Sequence, residues 1–260
     1  VPRNRLLFLY KTLQATLFEF NKLIQMQGKR YPIKKASVKH QPKGLSILYE
    51  DHDILVVDKI AGLLTVGTER EKHKTAHFIL NNYVKKGNER SKNRVFIVHR
   101  LDRDTSGILI FAKNENTKRY LQDNWKEFSK KYLTVVHGKL KDKEGVITSY
   151  LTENRAFRVY SVNEPDKGKF SKTGYKVIKE SGKYSLLDIN LFTGRKNQIR
   201  VHMSEKGHSI VGDKIYGIAD KGIKRLALHS TSLTIRHPLT QKEMSFKTEI
   251  PLYFKTLVKL

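Results

Sequence analysis

Residues 99–107 read HRLDRDTSG, and the apolar run ILIFAK follows. Four charged side chains, Arg100, Asp102, Arg103 and Asp104, therefore stand at the entrance to a segment that must be buried. Asp102 is the one suited to chemistry. Cations on both sides favour its carboxylate form, and an ionised Asp beside a sheet serves as a nucleophile, a base or a structural anchor. The residues alone leave open a salt-bridged or loop-capping Asp and a catalytic one. Thr105-Ser106-Gly107 adds two hydroxyls and a permissive turn.

Two other side chains have chemical reach. Tyr132 in KKYLTVVHG offers a ring and a hydroxyl, or simply packs into a core. Arg200 in NQIRVH contacts phosphate or lies on a helix surface. Among the ten His there is no HExxH and no compact carboxylate cluster, so His99, His202 and His229 read as packing or supporting residues. GDKIYG, Gly212 to Gly217, lacks the glycine run and the following Lys-Ser/Thr of a phosphate cradle. It reads as a supporting turn, and Asp213 is not read as a metal ligand.

Composition narrows the partner. Lys and Arg number 51 against 25 Asp and Glu, a net charge of +26. A polyanion is the natural counterpart, because neutralised phosphates release counterions. Cys is absent, which excludes a disulfide framework, thiolate metal sites and a Cys nucleophile. A reducing, cytoplasmic setting fits. The longest apolar runs, LLFLY and ILIFA, fall far short of a membrane span. No membrane partner is expected.

These residues need elements to hold them. Leu6, Leu9, Leu13, Leu17, Phe20 and Ile24 have helical spacing up to Met26, and a basic linker follows through RYPIKKASVKHQPK. SILYED and DILVVDK predict a hairpin around Asp-His-Asp, and KTAHFILNNYVKKG a short helix. RVFIVHR and GILIFAK predict strands on either side of the Asp102 stretch. NENTKRYLQDNWKEFSKKY predicts a helix starting near Asn114 or Asn116, with Leu121, Trp125 and Phe128 on its apolar side. KYLTVVHGKL, VITSYLTE and AFRVYSV read as strands. TGYKVIKE and YSLLDINLF read as a hairpin turning at Ser181-Gly182. NEPDKGKFSKTG reads as a loop and a candidate contact for the polyanion. TGRKNQIRVHMSEKG predicts a turn and then a helix, ALHSTSLTIRHP a strand pair with a turn, and EMSFKTEIP the last strand. Many strands with few long helices predict an α+β fold, a mostly antiparallel mixed sheet with flanking helices.

VHRLDRDTSGILIFAKN resembles the signature of the RluA-type RNA pseudouridine synthases, HRLDxxTSGxLxxAK. DILVVDKIAGLL, KKYLTVVHG, LFTGRKNQIRVHM, VGDKIYG and RLALHS extend the resemblance over roughly residues 50–235. It implies the pseudouridine synthase catalytic fold over 45–260, with 1–44 a basic N-terminal extension lacking an S4-like pattern. It implies isomerisation of uridine to pseudouridine in RNA, 23S-type rRNA being slightly favoured over tRNA. Asp102 would be catalytic, Arg200 its partner and Tyr132 the ring that stacks on uracil. Arg100 would hold or replace the flipped nucleotide. Arg103, Arg195, Asn197, Lys34, Lys35, Lys39 and Lys43 would bind RNA or assist flipping. No cofactor and no metal is expected, and the chain is expected to act as a monomer. A silent RNA-binding or ribosome-assembly protein of the same fold is the competing expectation.

Two departures stand out. The family usually has TGRxHQIR, whereas Asn197 replaces the His here. An amide keeps hydrogen bonding but loses aromatic stacking and the protonated imidazole. KIAGLLTVGT lacks the Pro that the family often carries after its Gly-Leu run, and nearby Thr68 does not supply that rigidity.

Overall fold

The computed structural model describes residues 42–260 apart from 68, 220, 221 and 224. The expected helix over Leu6 to Met26, the basic linker as far as residue 41, with Lys34, Lys35 and Lys39, and Thr68 lie outside the described residues. Within them, β1 (Leu45–Glu50) and β2 (Ile54–Lys59) form the expected antiparallel hairpin. Asp51 makes its turn by accepting the Asp53 and Ile54 amides, each at 2.8 Å. α1 (Ala76–Lys85) starts where the Thr75 hydroxyl accepts the Phe78 amide, and it buries Ala76, Leu80 and Val84 one turn apart.

The stretch RVFIVHR is a strand for only two residues, β3 (Phe96–Ile97). It pairs with β4 (Ser106–Ala112) at Phe111 and Ala112 and then leaves the sheet. His99 Nε2 accepts the Ile110 amide at 3.2 Å there, and its ring stacks on Trp125. Every residue of β4 is buried. Leu109 and Phe111 face one core, Ile108, Ile110 and Ala112 the other, which is why GILIFA shows no polar alternation.

α2 (Glu115–Asp123) is capped by Asn114, which accepts the Thr117 amide at 2.8 Å. It is shorter than expected. Trp125 and Phe128 reach the same core as Leu121 from the turn that follows it. β5 (Ser129–His137), β6 (Glu144–Glu153), β7 (Val159–Val162), β8 (Lys169–Ser181) and β9 (Tyr184–Leu191) are the expected strands. The loop expected over NEPDKGKFSKTG ends sooner, because Lys169 onward pairs with β6. α3 (Gln198–Glu205) is the expected helix after the TGRKN turn.

ALHSTSLTIRHP is one strand, β10 (Leu228–Arg236), and not a strand pair. Its register shifts between Ser230 and Ser232 against β5. A bulge of this kind breaks the alternation as a turn would, without reversing the chain. β11 (Glu243–Lys247) closes the sheet, and α4 (Leu252–Val258), which the sequence reading missed, buries Phe254 and Val258.

Among the described residues the strands form one sheet in the order β1-β2-β4-β10-β5-β9-β8-β6-β7, with β11 beside β10 and β3 beside β4. The β10–β4 pair is parallel and all others are antiparallel. No helix in this region is long and apolar enough to cross a membrane.

Two histidines tie stability to pH. Arg225 donates to the Ser106 hydroxyl at 3.2 Å, Ser106 lies 2.8 Å from His229 Nδ1, and His229 Nε2 lies 2.8 Å from the Thr248 hydroxyl. Desolvation, reinforced by Arg225, pushes His229 down to about 4. Desolvation, reinforced by Lys130, pushes His99 down to about 3. The unfolded chain protonates both near pH 6.5 while the folded chain refuses the protons until those lower values, so acid favours unfolding across that window. Stability is expected to fall by about 1.4 kcal/mol per pH unit for each histidine within it. Urea midpoints at pH 7 and pH 5 check this, and equal midpoints would refute it.

Candidate active site

The Asp102 stretch is an irregular connection from β3 to β4, fastened on both sides of the carboxylate. The Thr65 hydroxyl donates to the Leu101 carbonyl at 2.8 Å and accepts the Leu101 amide at 3.1 Å. The Arg103 carbonyl accepts the Gly62 amide at 2.9 Å and Lys59 Nζ at 3.1 Å. Lys59 is fully buried and also donates to the carbonyls of Ile60 and Leu63. Desolvation pushes its ammonium down to about 8, although Asp104, Asp102 and Asp58 favour the charge. Gly107 lets this connection meet β10. Its φ is +111°, and a Cβ there would lie 2.2 Å from the Ser230 carbonyl oxygen.

Asp102 takes its partners from α3 and its N-terminal turn. Asn197 Nδ2 donates to Asp102 Oδ2 at 2.6 Å, and Arg200 NH1 donates to the same oxygen at 3.3 Å. Asn197 adopts φ 51° and ψ 17°, a left-handed conformation that Asn tolerates better than most residues. Its amide therefore supplies the hydrogen bond that survives loss of the usual His.

Arg200 is held from behind by Asp213. Its Nε and NH2 donate to the two carboxylate oxygens of Asp213, each at 2.7 Å. The Asp213 side chain has no exposed surface, against 9% for Arg200 and 30% for Asp102. Burial raises the Asp213 pKa, but Arg200 and the amides of Tyr216 and Ile215 outweigh it and hold the carboxyl below its ordinary value. The GDKIYG turn is thus a support, since Asp213 Oδ1 accepts the Ile215 and Tyr216 amides at 2.9 and 3.0 Å. The Tyr216 ring lies 5.2 Å from the Arg200 guanidinium, and its hydroxyl donates to Asn197 Oδ1 at 3.3 Å.

Tyr132 is buried on β5. Desolvation and the Asp102 charge push its phenol up to about 12, against a hydrogen bond with Ser230. It is neutral at physiological pH and can donate a proton but not take one. His202 is buried between Ser149 and Thr173, at 2.9 Å from each hydroxyl.

The neighbours in sequence do not pair with Asp102. Arg100 is exposed, and Arg103 pairs with Glu71 at 2.7 Å. Successive side chains of an extended connection diverge, so the cation for Asp102 comes from 98 residues away. Arg195 is exposed, with its Nε donating to the Phe170 carbonyl, and Lys43 is exposed just before β1. Sequence reading missed Lys59, Thr65 and the Asp213–Arg200 fork. The Lys of VVDK, just before a Gly turn, was the available signal for the first.

Residues 53–205 match the family model described as RNA pseudouridylate synthase. An uncharacterized RNA pseudouridine synthase of Bacillus subtilis, YjbO, is 34% identical over 222 residues, 84% of this chain and 77% of its own length. The ribosomal large subunit pseudouridine synthase D of Borreliella burgdorferi is 36% identical over 198 residues, 74% of this chain and 61% of its own. The solved structure of human RNA pseudouridylate synthase domain containing 1 superposes with a TM-score of 0.66 at 26% identity, covering 82% of this chain and 86% of that one. The chain belongs to the RNA pseudouridylate synthase family. Within it the chain is of the RluA type, an isomerase that acts on RNA.

Asn197→Ala is expected to lower kcat about 10- to 100-fold, the worth of a hydrogen bond to a charged group. RNA affinity should stay within about twofold, because the bond lies inside the protein. Single-turnover release of C5 tritium from uracil, set beside filter binding, separates the two. An unchanged kcat would mean that Arg200 alone orients the carboxylate.

Proposed function

We propose that this protein isomerises specific uridines of large-subunit ribosomal RNA, in preference to tRNA, with Asp102 as its catalytic carboxylate. The observation that carries the proposal is the part-exposed Asp102 carboxylate, held by Asn197 and Arg200 with the neutral Tyr132 within electrostatic reach. Both donors act on Oδ2, so Oδ1 is the oxygen that meets the substrate. Two routes use it: attack at C1′ to form a covalent adduct, or removal of the C2′ proton to give a glycal. Each breaks the N1–C1′ bond, turns the uracil and joins C5 to C1′. The C5 proton leaves and N1 takes one up, so the balance needs no redox partner and no group donor. Tyr132 contributes a ring for the uracil and an O–H to donate.

The target must leave its stack to reach Asp102, which costs a few kcal/mol and favours loops. Arg100, an exposed residue two positions before Asp102, is the side chain proposed to fill the gap. Arg103, Arg195 and Lys43 neutralise phosphates of the bound RNA, and Lys34, Lys35 and Lys39 add to the positive charge of the chain that attracts it. Arg103 first leaves Glu71, an exchange of small cost because both side chains are about half exposed. Relatives named ribosomal large subunit pseudouridine synthases support the choice of RNA. The protein is taken to act as a cytoplasmic monomer.

The test is tritium release from RNA labelled at uracil C5 and taken from cells lacking the gene, with rRNA and tRNA fractions assayed separately. Release from the rRNA fraction is expected, followed by mapping of the product uridine. Release from tRNA alone moves the substrate. No release from either, with binding intact, leaves a silent RNA-binding protein.

A further inference from the structure

We propose that Phe157 is a stacking platform for the unpaired base next to the target uridine, which rests on the RNA-modifying activity proposed above. Phe157 sits at the tip of the hairpin joining β6 to β7, and it is 75% exposed. A ring so open to water loses the gain that burial brings an aromatic side chain. Its backbone is also in the left-handed region, at φ 59°. Glycine takes that conformation without strain, whereas a bulky residue is a rare occupant. Hydrogen bonds within the tip hold this conformation. The Asn154 amide donates to the Arg158 carbonyl, Asn154 Oδ1 accepts the Arg158 amide, and the Phe157 amide donates to the Asn154 carbonyl, at 3.0, 3.0 and 2.9 Å.

The tip is fastened to the active site. The Val159 amide donates to the Tyr216 hydroxyl at 3.0 Å, and Leu151, Val159, Val201 and Tyr216 form a small buried cluster. The guanidiniums of Arg158 and Arg200 lie 5.4 and 5.2 Å from the Tyr216 ring. Lys196 Nζ lies 5.5 Å from the Phe157 ring centre, donates to the Phe157 carbonyl at 3.2 Å and pairs with Glu153. Lys196 directly precedes Asn197, whose amide holds Asp102. The exposed ring therefore stands one residue-to-residue link from the carboxylate's own support.

The surroundings select the occupant. Lys196 lies against the ring, Arg155 and Arg158 flank Phe157 in the same connection, all three are exposed, and Glu153, the acid beside them, is already engaged by Lys196. An aromatic face bordered by cations fits a nucleobase and its phosphates, since every base has a stacking face. A second copy of a chain carrying +26 would be repelled from the same surface.

The experiment uses Asp102→Asn protein, which binds without turnover, and a single-stranded 12-nucleotide oligouridine carrying one 4-thiouridine. Near-ultraviolet crosslinking and mass spectrometry should place the adduct on Phe157. Phe157→Gly, which relieves the left-handed strain and so leaves the fold stable, should remove that adduct and weaken binding about 5- to 150-fold, the effect of losing one stacked base. Phe157→Trp should keep both. Adducts found only elsewhere, with equal affinity for Phe157→Gly, overturn the platform. In the Asp102-containing chain, Phe157→Gly should raise KM for rRNA and leave kcat within about twofold, the signature of lost substrate binding rather than lost chemistry. Crosslinking needs no turnover, so an adduct at Phe157 without tritium release in the active chain rejects the proposed activity alone. Tritium release with an unchanged KM rejects the platform alone.

Discussion

Asp102→Asn is expected to abolish turnover while leaving the protein folded. The substitution keeps the shape of the side chain, and the amide oxygen can still accept from Asn197 and Arg200. What disappears is the negative charge and the basic oxygen, on which both routes through C1′ or C2′ depend. Loss of a group that bonds to or deprotonates the substrate commonly costs about 10³-fold or more in kcat. The backbone around Asp102 is held by Thr65, Gly62 and Lys59, none of which contacts its carboxylate. The melting temperature should therefore move by no more than about 4 °C, the effect of about 1 kcal/mol in a chain of this size. Single-turnover tritium release and a thermal melt are the paired measurements. Activity within tenfold of the parent would remove Asp102 from the chemistry.

The second large effect concerns the residue behind it. Asp213→Asn is expected to destabilise the fold by about 3–5 kcal/mol, because it breaks a buried ion pair from one side. Arg200 would then keep a single counter-charge, Asp102, whose contact is longer, 3.3 Å against two at 2.7 Å. The guanidinium should swing toward Asp102 and draw its carboxylate away from substrate, so kcat falls as well. Asn can still accept the Ile215 and Tyr216 amides, so the turn itself is not the source of the loss. Adding Arg200→Met to Asp213→Asn should recover part of the stability by removing a buried charge that has lost its closer partner. It should recover none of the activity. Urea denaturation of the two single variants and the double variant measures this coupling, and simple additivity would mean that the fork is not an energetic unit.

Much of the candidate site was legible along the chain. HRLDRDTSG announced a charged connection before a buried strand, and KKYLTVVHG and NQIRVH marked Tyr132 and Arg200. The hairpin of β1 and β2, the strand β4 and the helix α3 followed from alternation, apolar runs and turn residues, which are local properties. Elements failed where tertiary contacts replace local pattern. RVFIVHR leaves the sheet after Ile97, and the bulge in β10 resembles a turn because both interrupt alternation.

The sequence by itself determined which side chains were available and that a polyanion would be their partner, since charge and residue type belong to the chain whatever its shape. Residue by residue it pointed to Arg100 and Arg103 as the cations beside Asp102, because neighbours are what a sequence displays, and Arg200 came only through the family resemblance. Only the folded structure decided that Asn197 meets Asp102 on the same oxygen as Arg200, that Asp213 stands behind Arg200, and that a buried Lys59 fastens the connection. Those partners lie 95, 98, 13 and 44 residues apart. Hydrogen bonds and ion pairs act over a few ångströms of space, and sheet pairing, not position in the chain, sets which groups come within that range.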